Sequence, residues 1–317
     1  MFDIVALGEL LIDFTPAGVS AEGQPLFAQN PGGAPANLLT AVAKLGKKGA
    51  FLGMVGQDQF GIFLRRVLRE NGVDDRGLKQ TTAAPTTLAF VHLDSSGDRS
   101  FSFYRKPGAD LMIRTEDLGY EVIQSAKVFH FGSLSLTDEP ARSATLQAVR
   151  FAKEHGSLIS FDPNYRPLLW NNIAAAREQI RSVLENVDII KVSEEELELI
   201  TGTADLEKGS AILYELGIDL ILVTLGPAGC FYRYPQGTGR LNGFAVKTVD
   251  TTGAGDAFLG GALYWLSGIP LHQIRTLDRQ KLEQIIRFAN AVGALTTTKK
   301  GAIPALPDLE EVRRLIR

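Results

Sequence analysis

Val187-Asp188-Ile189-Ile190-Lys191-Val192 is followed by two amphipathic segments, Ser193–Ile200 and Leu206–Leu216, and then by a second apolar run, Leu220-Ile221-Leu222-Val223-Thr224. Short apolar runs bounded by helical patterns read as buried strands joined by helices. The same rhythm extends in both directions. Ile4–Leu7, Phe51–Val55, Val128–Phe131 and Leu158–Phe161 read as further buried strands, and Ala36–Leu45, Gly61–Asn71, Glu139–His155 and Ile173–Leu184 as helices. Strands that are apolar throughout, rather than alternating, predict a mainly parallel sheet covered by helices on both faces. The last third reads as mostly helical, with Gly255–Leu266, Asp278–Thr297 and Asp308–Ile316.

Two stretches break the rhythm. Residues 10–31 and 86–113 carry alternation and turn signals in place of helix signals. Leu88–Leu93, then Asp94-Ser95-Ser96-Gly97-Asp98, then Arg99–Tyr104 is the pattern of a hairpin. Two such insertions at strand ends predict a small β-sheet lid on a single α/β domain spanning 1–317, since binding elements sit on insertions of this kind. The plainer reading is a pair of surface hairpins.

Composition limits the function. The 317 residues carry 33 Lys plus Arg against 36 Asp plus Glu, a formal net charge of −3. A slightly acidic chain without clustered basic residues lacks the electrostatic footprint of a nucleic-acid binder. The single cysteine, Cys230, excludes an internal disulfide and a cysteine zinc cluster, and fits a reducing compartment. His92, His130, His155 and His272 show no metal-ligand spacing. With no signal-peptide pattern and no apolar run near the roughly 20 residues of a membrane span, the expectation is a cytoplasmic protein without membrane partners.

The chemistry concentrates in Asp250-Thr251-Thr252-Gly253-Ala254-Gly255-Asp256-Ala257-Phe258. Small residues running into a helix let backbone N–H groups converge, and the helix N-terminus adds positive potential, so the turn is suited to an anion. A carboxylate there would repel a phosphate unless Asp256 takes the proton of the group that attacks it. The plainer reading makes Asp256 a first-turn residue that complements the helix dipole. Gly32-Gly33-Ala34-Pro35-Ala36-Asn37 opens another helix, where paired glycines allow close approach and Asn37 can donate and accept hydrogen bonds, as sugar hydroxyls require.

These two motifs occur together in the ribokinase-like (PfkB) carbohydrate kinases, which the chain resembles over nearly its whole length, and within which it looks most like the fructokinases. The resemblance also rests on Gly8–Asp13, Gly53–Gly61, Asp162–Trp170, Thr224-Leu225-Gly226 and Lys300-Gly301-Ala302. It implies a ribokinase-like three-layer α/β/α domain with a small lid sheet, and an ATP-dependent sugar kinase acting on fructose. In this reading Asp256 is the catalytic base, and Gly253, Ala254 and Gly255 are the anion hole. Asp13, Gly32, Gly33, Asn37, Arg105 and Arg166 contact the sugar or the phosphate cleft. The ATP side is assigned to Ser193, Thr224, Gly226, Gly229, Gly255 and Asn290. For each arginine the plainer reading is a surface ion pair.

Many ribokinase-like kinases carry Asn-x-x-Glu where this chain has Ser193-Glu194-Glu195-Glu196. Glu196 remains to organise Mg2+ through water, and the pair also reads as a helix capping box. Relatives hold a monovalent cation, K+ for example, beside loops matching 250–252 and 296–301, which points to Asp250 and Thr252. Some pair as homodimers through the lid. The nearest alternative activity is a 2-keto-3-deoxygluconate kinase, with Tyr104, Arg105 and Arg166 turned to a carboxylate. A catalytically silent sugar or nucleotide sensor would be free to lose Asp256 and the 253–255 turn. A Rossmann dehydrogenase lacks support, because Gly8-Glu9-Leu10-Leu11-Ile12 contains no Gly-x-Gly-x-x-Gly.

Overall fold

The computed structural model describes residues 1–93 and 99–317, so the turn expected at 94–98 lies outside the described residues. The chain opens with β1 (Phe2–Leu7), a first hairpin of β2 (Leu11–Val19) and β3 (Pro25–Gly32), and helix α1 (Ala34–Lys44). Next come β4 (Gly49–Gly56), α2 (Gln59–Glu70) and β5 (Val73–Thr81), then a second hairpin, β6 (Leu88–Leu93) and β7 (Arg99–Tyr104). After the short α3 (Tyr120–Gln124), strands and helices alternate: β8 (Ala126–Gly132), α4 (Ala141–Glu154), β9 (Leu158–Asp162), α5 (Ile173–Ser182), β10 (Ile189–Ser193), α6 (Glu194–Thr201), α7 (Leu206–Glu215) and β11 (Leu220–Thr224). A third hairpin, β12 (Cys230–Tyr234) and β13 (Gly237–Leu241), precedes α8 (Ala254–Leu266), α9 (Leu271–Ile274), α10 (Arg279–Thr296) and α11 (Leu309–Ile316).

The large sheet has the order β13-β12-β11-β10-β9-β8-β1-β4-β5. Pairing is parallel from β11 to β5 and antiparallel in the β11-β12-β13 edge. Successive side chains leave opposite faces of a strand. Ile4 and Ala6 therefore join the apolar cluster under α1, α8 and α10, while Val5 and Leu7 join the one under α4, α5 and α7. Each fully buried Leu or Phe in these layers contributes roughly 2 kcal/mol of hydrophobic stabilisation. The expected two-sided parallel sheet is thus observed.

Two features depart from the sequence reading. β5, Val-Asp-Asp-Arg-Gly-Leu-Lys-Gln-Thr, is a strand the apolar-run criterion does not find, because an edge strand faces water and carries charge that discourages further pairing. The last third also contains the β12–β13 hairpin as well as helix, and it covers the opposite edge.

The first two hairpins join as a separate sheet of order β3-β2-β6-β7, with β2 parallel to β6. Its base is fastened to the body by side chains. Asp58 caps α2 through the Gly61 N–H at 2.8 Å, and the same carboxylate accepts the Thr86 N–H and hydroxyl at 2.8 and 2.7 Å just before β6. Across the body, α1 and α8 cross closely at Gly260, where a Cβ would lie 3.0 Å from the Ala41 Cβ and 3.2 Å from the Leu38 carbonyl oxygen. That crossing brings the start of α1 against the start of α8. Among the described residues, no helix is long and apolar enough to cross a membrane.

Candidate active site

The chain runs outward from β1 through β4 to β5, then returns to place β8 on the other side of β1. At such a reversal the connections diverge and leave a crevice beyond the carboxyl ends of the strands. Gly8 and Glu9 follow β1 there, Asp162 ends β9, Ser193 ends β10 and Thr224 ends β11. The starts of α1 and α8 and the Asp13 side of the small sheet converge on the same crevice.

Asp256 stands in the first turn of α8 and is buried. Its Oδ2 accepts the Asn37 Nδ2 at 2.8 Å and its Oδ1 the Asn164 Nδ2 at 3.3 Å. Asn164 reaches it from a tight turn after β9, with φ of 43° and its N–H donated to Asp162 Oδ1 at 3.1 Å. Asparagine tolerates that left-handed backbone better than other non-glycine residues. Burial pushes the Asp256 carboxyl up to about 6; the Asp162 charge adds to the rise, while the Asn37 hydrogen bond, Lys191 and Arg166 oppose it. Among the described residues the buried Asn37 Oδ1 has no hydrogen-bond partner, which leaves an unpaired acceptor on the side chain that holds Asp256.

Asp13 sits across the crevice on β2. Burial raises its carboxyl to about 6, against the pull of Arg166 and with a push from Asp256. Gly32 leaves room for it, since a Cβ there would lie 2.1 Å from Asp13 Oδ2. Gly33 has φ of +113°, and a Cβ on it would meet the Glu9 carbonyl oxygen at 2.4 Å, so this turn requires glycine. The Glu9 carboxylate secures the turn by accepting the Ala34 N–H at 2.8 Å. Arg166 is exposed, its Nη1 directed to the Asn164 and Tyr165 carbonyls at 3.4 and 3.2 Å, and its charge is felt by both Asp13 and Asp256.

Arg105 behaves differently from the expectation of a cleft ligand. It is buried, with Nε on Asp110 Oδ2 at 2.8 Å, Nη1 on Thr137 Oγ1 at 3.0 Å and Nη2 on the Leu134 carbonyl at 2.8 Å. Asp110 also accepts the Thr87 hydroxyl. The guanidinium is thereby committed to bracing the base of the small sheet against the segment after β8, a planar multi-donor task that suits arginine.

On the other side of Asp256, Gly253 caps α8 in the left-handed region with φ of 76°, packed so that a Cβ would lie 2.7 Å from the Ala302 Cβ. The Ala254 N–H closes the turn on the Thr251 carbonyl at 3.2 Å, and the first-turn amides of α8 point out of the helix. Asp250 Oδ1 accepts the Thr252 N–H and hydroxyl at 3.0 and 2.7 Å, its Oδ2 the Gly301 N–H at 2.9 Å. The Val249 and Asp250 N–H groups reach the Thr297 carbonyl. The loops at 249–252 and 297–301 are therefore one unit.

Ser193 and Glu196 form the capping box: Ser193 Oγ accepts the Glu196 N–H at 3.2 Å and Glu196 Oε2 accepts the Ser193 N–H at 2.8 Å. Glu196 Oε1 also accepts the Tyr165 N–H at 2.7 Å, which ties α6 to the Asn164 turn. Thr224 Oγ1 donates to the Val192 carbonyl at 3.3 Å, and Gly226, with φ of 55°, faces open space. Gly229 and Asn290 meet on one segment. A Cβ on Gly229 would lie 2.1 Å from the Leu241 carbonyl oxygen, and the Asn290 Nδ2 donates to the Leu241 and Asn242 carbonyls at 3.4 and 3.2 Å. Among the described residues no three His, Cys, Asp or Glu side chains gather as a metal-ligand set.

Three site residues received no role from the sequence. Glu9 is buried, and burial raises its carboxyl to about 7. Among the described residues, Asn164 is the non-glycine residue at positive φ. Lys191 is buried against Asp162 at 2.9 Å. The last two left a signal: an asparagine after proline at a strand end, and a lysine inside an apolar strand.

The family profile for pfkB family carbohydrate kinases matches residues 1–309. The chain is 50% identical over 311 residues to "Probable fructokinase-3" of Arabidopsis thaliana, covering 97% of this chain and 89% of that protein. Among solved structures it resembles fructokinase with bound ATP from Xylella fastidiosa, with TM-score 0.91 and 37% identity over 100% of this chain and 98% of that one. Fructokinase from Vibrio cholerae O395 in fructose, ADP and calcium ion bound form is similar too, with TM-score 0.88, 36% identity and 99% coverage of both chains. With an ordered carboxylate at a glycine-bracketed helix start, and this likeness over its whole length, the chain belongs to the pfkB family of carbohydrate kinases.

Proposed function

We propose that this kinase transfers the γ-phosphoryl group of ATP to fructose, giving fructose 6-phosphate and ADP, with Asp256 as the base. The observation that carries the reading is the Asp256 carboxylate held by Asn37 and Asn164 at the amino end of α8. The attacking hydroxyl gives its proton to Asp256 while its oxygen bonds to the γ-phosphorus and the bridging bond to ADP breaks. The amides of Gly253 and Gly255 stabilise the charge spread over the phosphoryl oxygens, the Ala254 N–H between them being turned to the Thr251 carbonyl, so catalysis is positioning plus fixed electrostatics. Asp13, Gly33 and the open Asn37 acceptor hold the sugar, and Arg166 reaches toward the phosphate cleft. Thr224, Gly226 and Ser193 border the nucleotide, with Gly229 and Asn290 shaping its wall through the 241–242 backbone.

Both Glu196 oxygens carry one N–H each, which leaves lone pairs for the water shell of Mg2+, an ion that retains most of its waters. Bound there, magnesium would neutralise phosphate charge. The joined loops at 249–252 and 297–301, with Asp250 and Thr252, support a monovalent cation held mainly by carbonyls. Exposed Val19, Leu26, Phe27 and Tyr104 on the small sheet support pairing of two copies through the lid. The single buried Cys230 supports a cytoplasmic setting.

The test is ADP release from Mg2+–ATP with fructose, 2-keto-3-deoxygluconate, ribose and glucose in parallel. Fructose is expected to give the highest kcat/KM; preference for the keto acid would move Arg166 onto a carboxylate, and no turnover with any sugar would favour a sensor. A pH profile adds a second check. With Asp256 and Asp13 raised to about 6, kcat/KM should fall at least tenfold per unit below pH 6 as the base is protonated, and more steeply where the sugar also needs Asp13 ionised. Stability runs the other way. These carboxyls bind protons more readily folded than unfolded, where their ordinary value is 3.8, so their contribution to stability grows as pH falls from 7 toward 4. Activity lost while this contribution rises would separate titration of the site from acid unfolding.

A further inference from the structure

Lys191 interrupts an apolar strand, between Ile190 and Val192, and packing does not account for it. Its Nζ donates to Asp162 Oδ2 at 2.9 Å, with side chains only 8% and 3% exposed. A buried pair of this kind is weak evidence for stability, since apolar residues of similar size commonly serve as well. Its location is more informative. A Cβ on Gly255 would lie 3.0 Å from the Lys191 Nζ and 3.4 Å from Cε, so glycine at 255 is what lets the ammonium press against the first turn of α8. The pair therefore lies directly beneath the turn that carries Asp256.

We propose that Lys191, paired with Asp162 under the 253–256 turn, is a positioning residue for phosphoryl transfer, its buried ammonium holding Asp256 in the ionised form that a base requires. The proposal rests on Asp256 being the base. The charged and titratable groups facing Asp256 come from several elements: Asp162 at the end of β9, Lys191 on β10, Arg166 in the loop after β9, and Asp13 on β2. α1 adds the neutral Asn37. His130 on β8, depressed by burial to about 4, is neutral above pH 5. Within this set Asp162 raises the Asp256 carboxyl and Lys191 lowers it, and neither acts appreciably on Asp13. Asp162, Glu196 and Asp256 together keep Lys191 protonated despite its burial.

The two partners of one ion pair thus act on Asp256 with opposite sign, and a brace between β9 and β10 would not. The experiment is kcat/KM for the sugar from pH 5 to 9 at saturating Mg2+–ATP, in the wild type, Lys191→Met, Lys191→Arg and Asp162→Asn. Lys191→Met should move the acid limb up by about one pH unit, Asp162→Asn should move it down, and Lys191→Arg should leave it within half a unit of wild type. The double variant Lys191→Met/Asp162→Asn, which leaves no unpaired buried charge, should bring the limb back near wild type. Each single variant carries its own sign, so either remains decisive if the other fails to fold. Shifts of the same sign, or rates that fall with no movement of the limb, overturn the proposal. Asp256→Asn separates the two levels. If it stays fully active, the assignment of the base fails; if it is inactive while the limbs do not diverge, only the role of Lys191 fails.

Discussion

Asp256→Asn is expected to lower kcat by about a thousandfold, within the range that a positioned general base supplies, while KM for sugar and ATP changes by no more than a few fold. The carboxylate accepts hydrogen bonds from Asn37 and Asn164, and the substituted amide keeps the shape and one acceptor but cannot take a proton. Steady-state kinetics of ADP release give both constants. A loss carried by KM alone would make Asp256 a ligand of the sugar and not its base. The same variant should melt no lower than wild type at pH 7, and higher if the penalty of ionising a buried carboxyl outweighs the altered bond to Asn37. The raised value of about 6 means that the folded protein holds a charge which burial disfavours, and the amide removes it. A variant that is inert yet at least as stable would show that the site carries strain for its chemistry.

Arg105→Leu should do the reverse. It leaves Asp110 buried, with the Thr87 hydroxyl as its remaining side-chain partner and no cation among the described residues. Removing one member of a buried ion pair typically costs about 3–5 kcal/mol. The unfolding free energy from urea titration should fall by about that amount, with kcat at saturating sugar retained within a few fold. Arg105→Lys should recover only part of it, because one ammonium cannot meet Asp110, Thr137 and the Leu134 carbonyl in the fixed fork that guanidinium provides. A rise in KM of a hundredfold or more without loss of stability would instead put the guanidinium on the substrate.

Much of this protein is legible in its sequence because the signals are local. Apolar runs such as Leu220–Thr224 determine buried strands, since a segment without polar alternation has no face to offer water. The glycines at 33 and 253 mark turns whose backbone only glycine adopts comfortably, and the run from Gly253 to Asp256 singles out the start of α8. The polar strand β5 left no such mark, because an edge owes its place to pairing and not to burial.

What required the tertiary structure is every property that depends on who faces whom. Arg105 reads the same in sequence whether it meets a ligand or Asp110, and burial against Thr137 and Leu134 made it a brace. Asn37 and Asp256 stand 219 residues apart and touch because α1 and α8 cross at Gly260. Lys191 lies under Asp256 because Gly255 lacks a side chain. Periodicity and turn chemistry are written into neighbouring residues, so the sequence alone determined the layered fold and its Gly-rich turns. Charge coupling and burial depend on distances that only packing sets, so the tertiary structure decided which buried groups act on the Asp256 carboxyl.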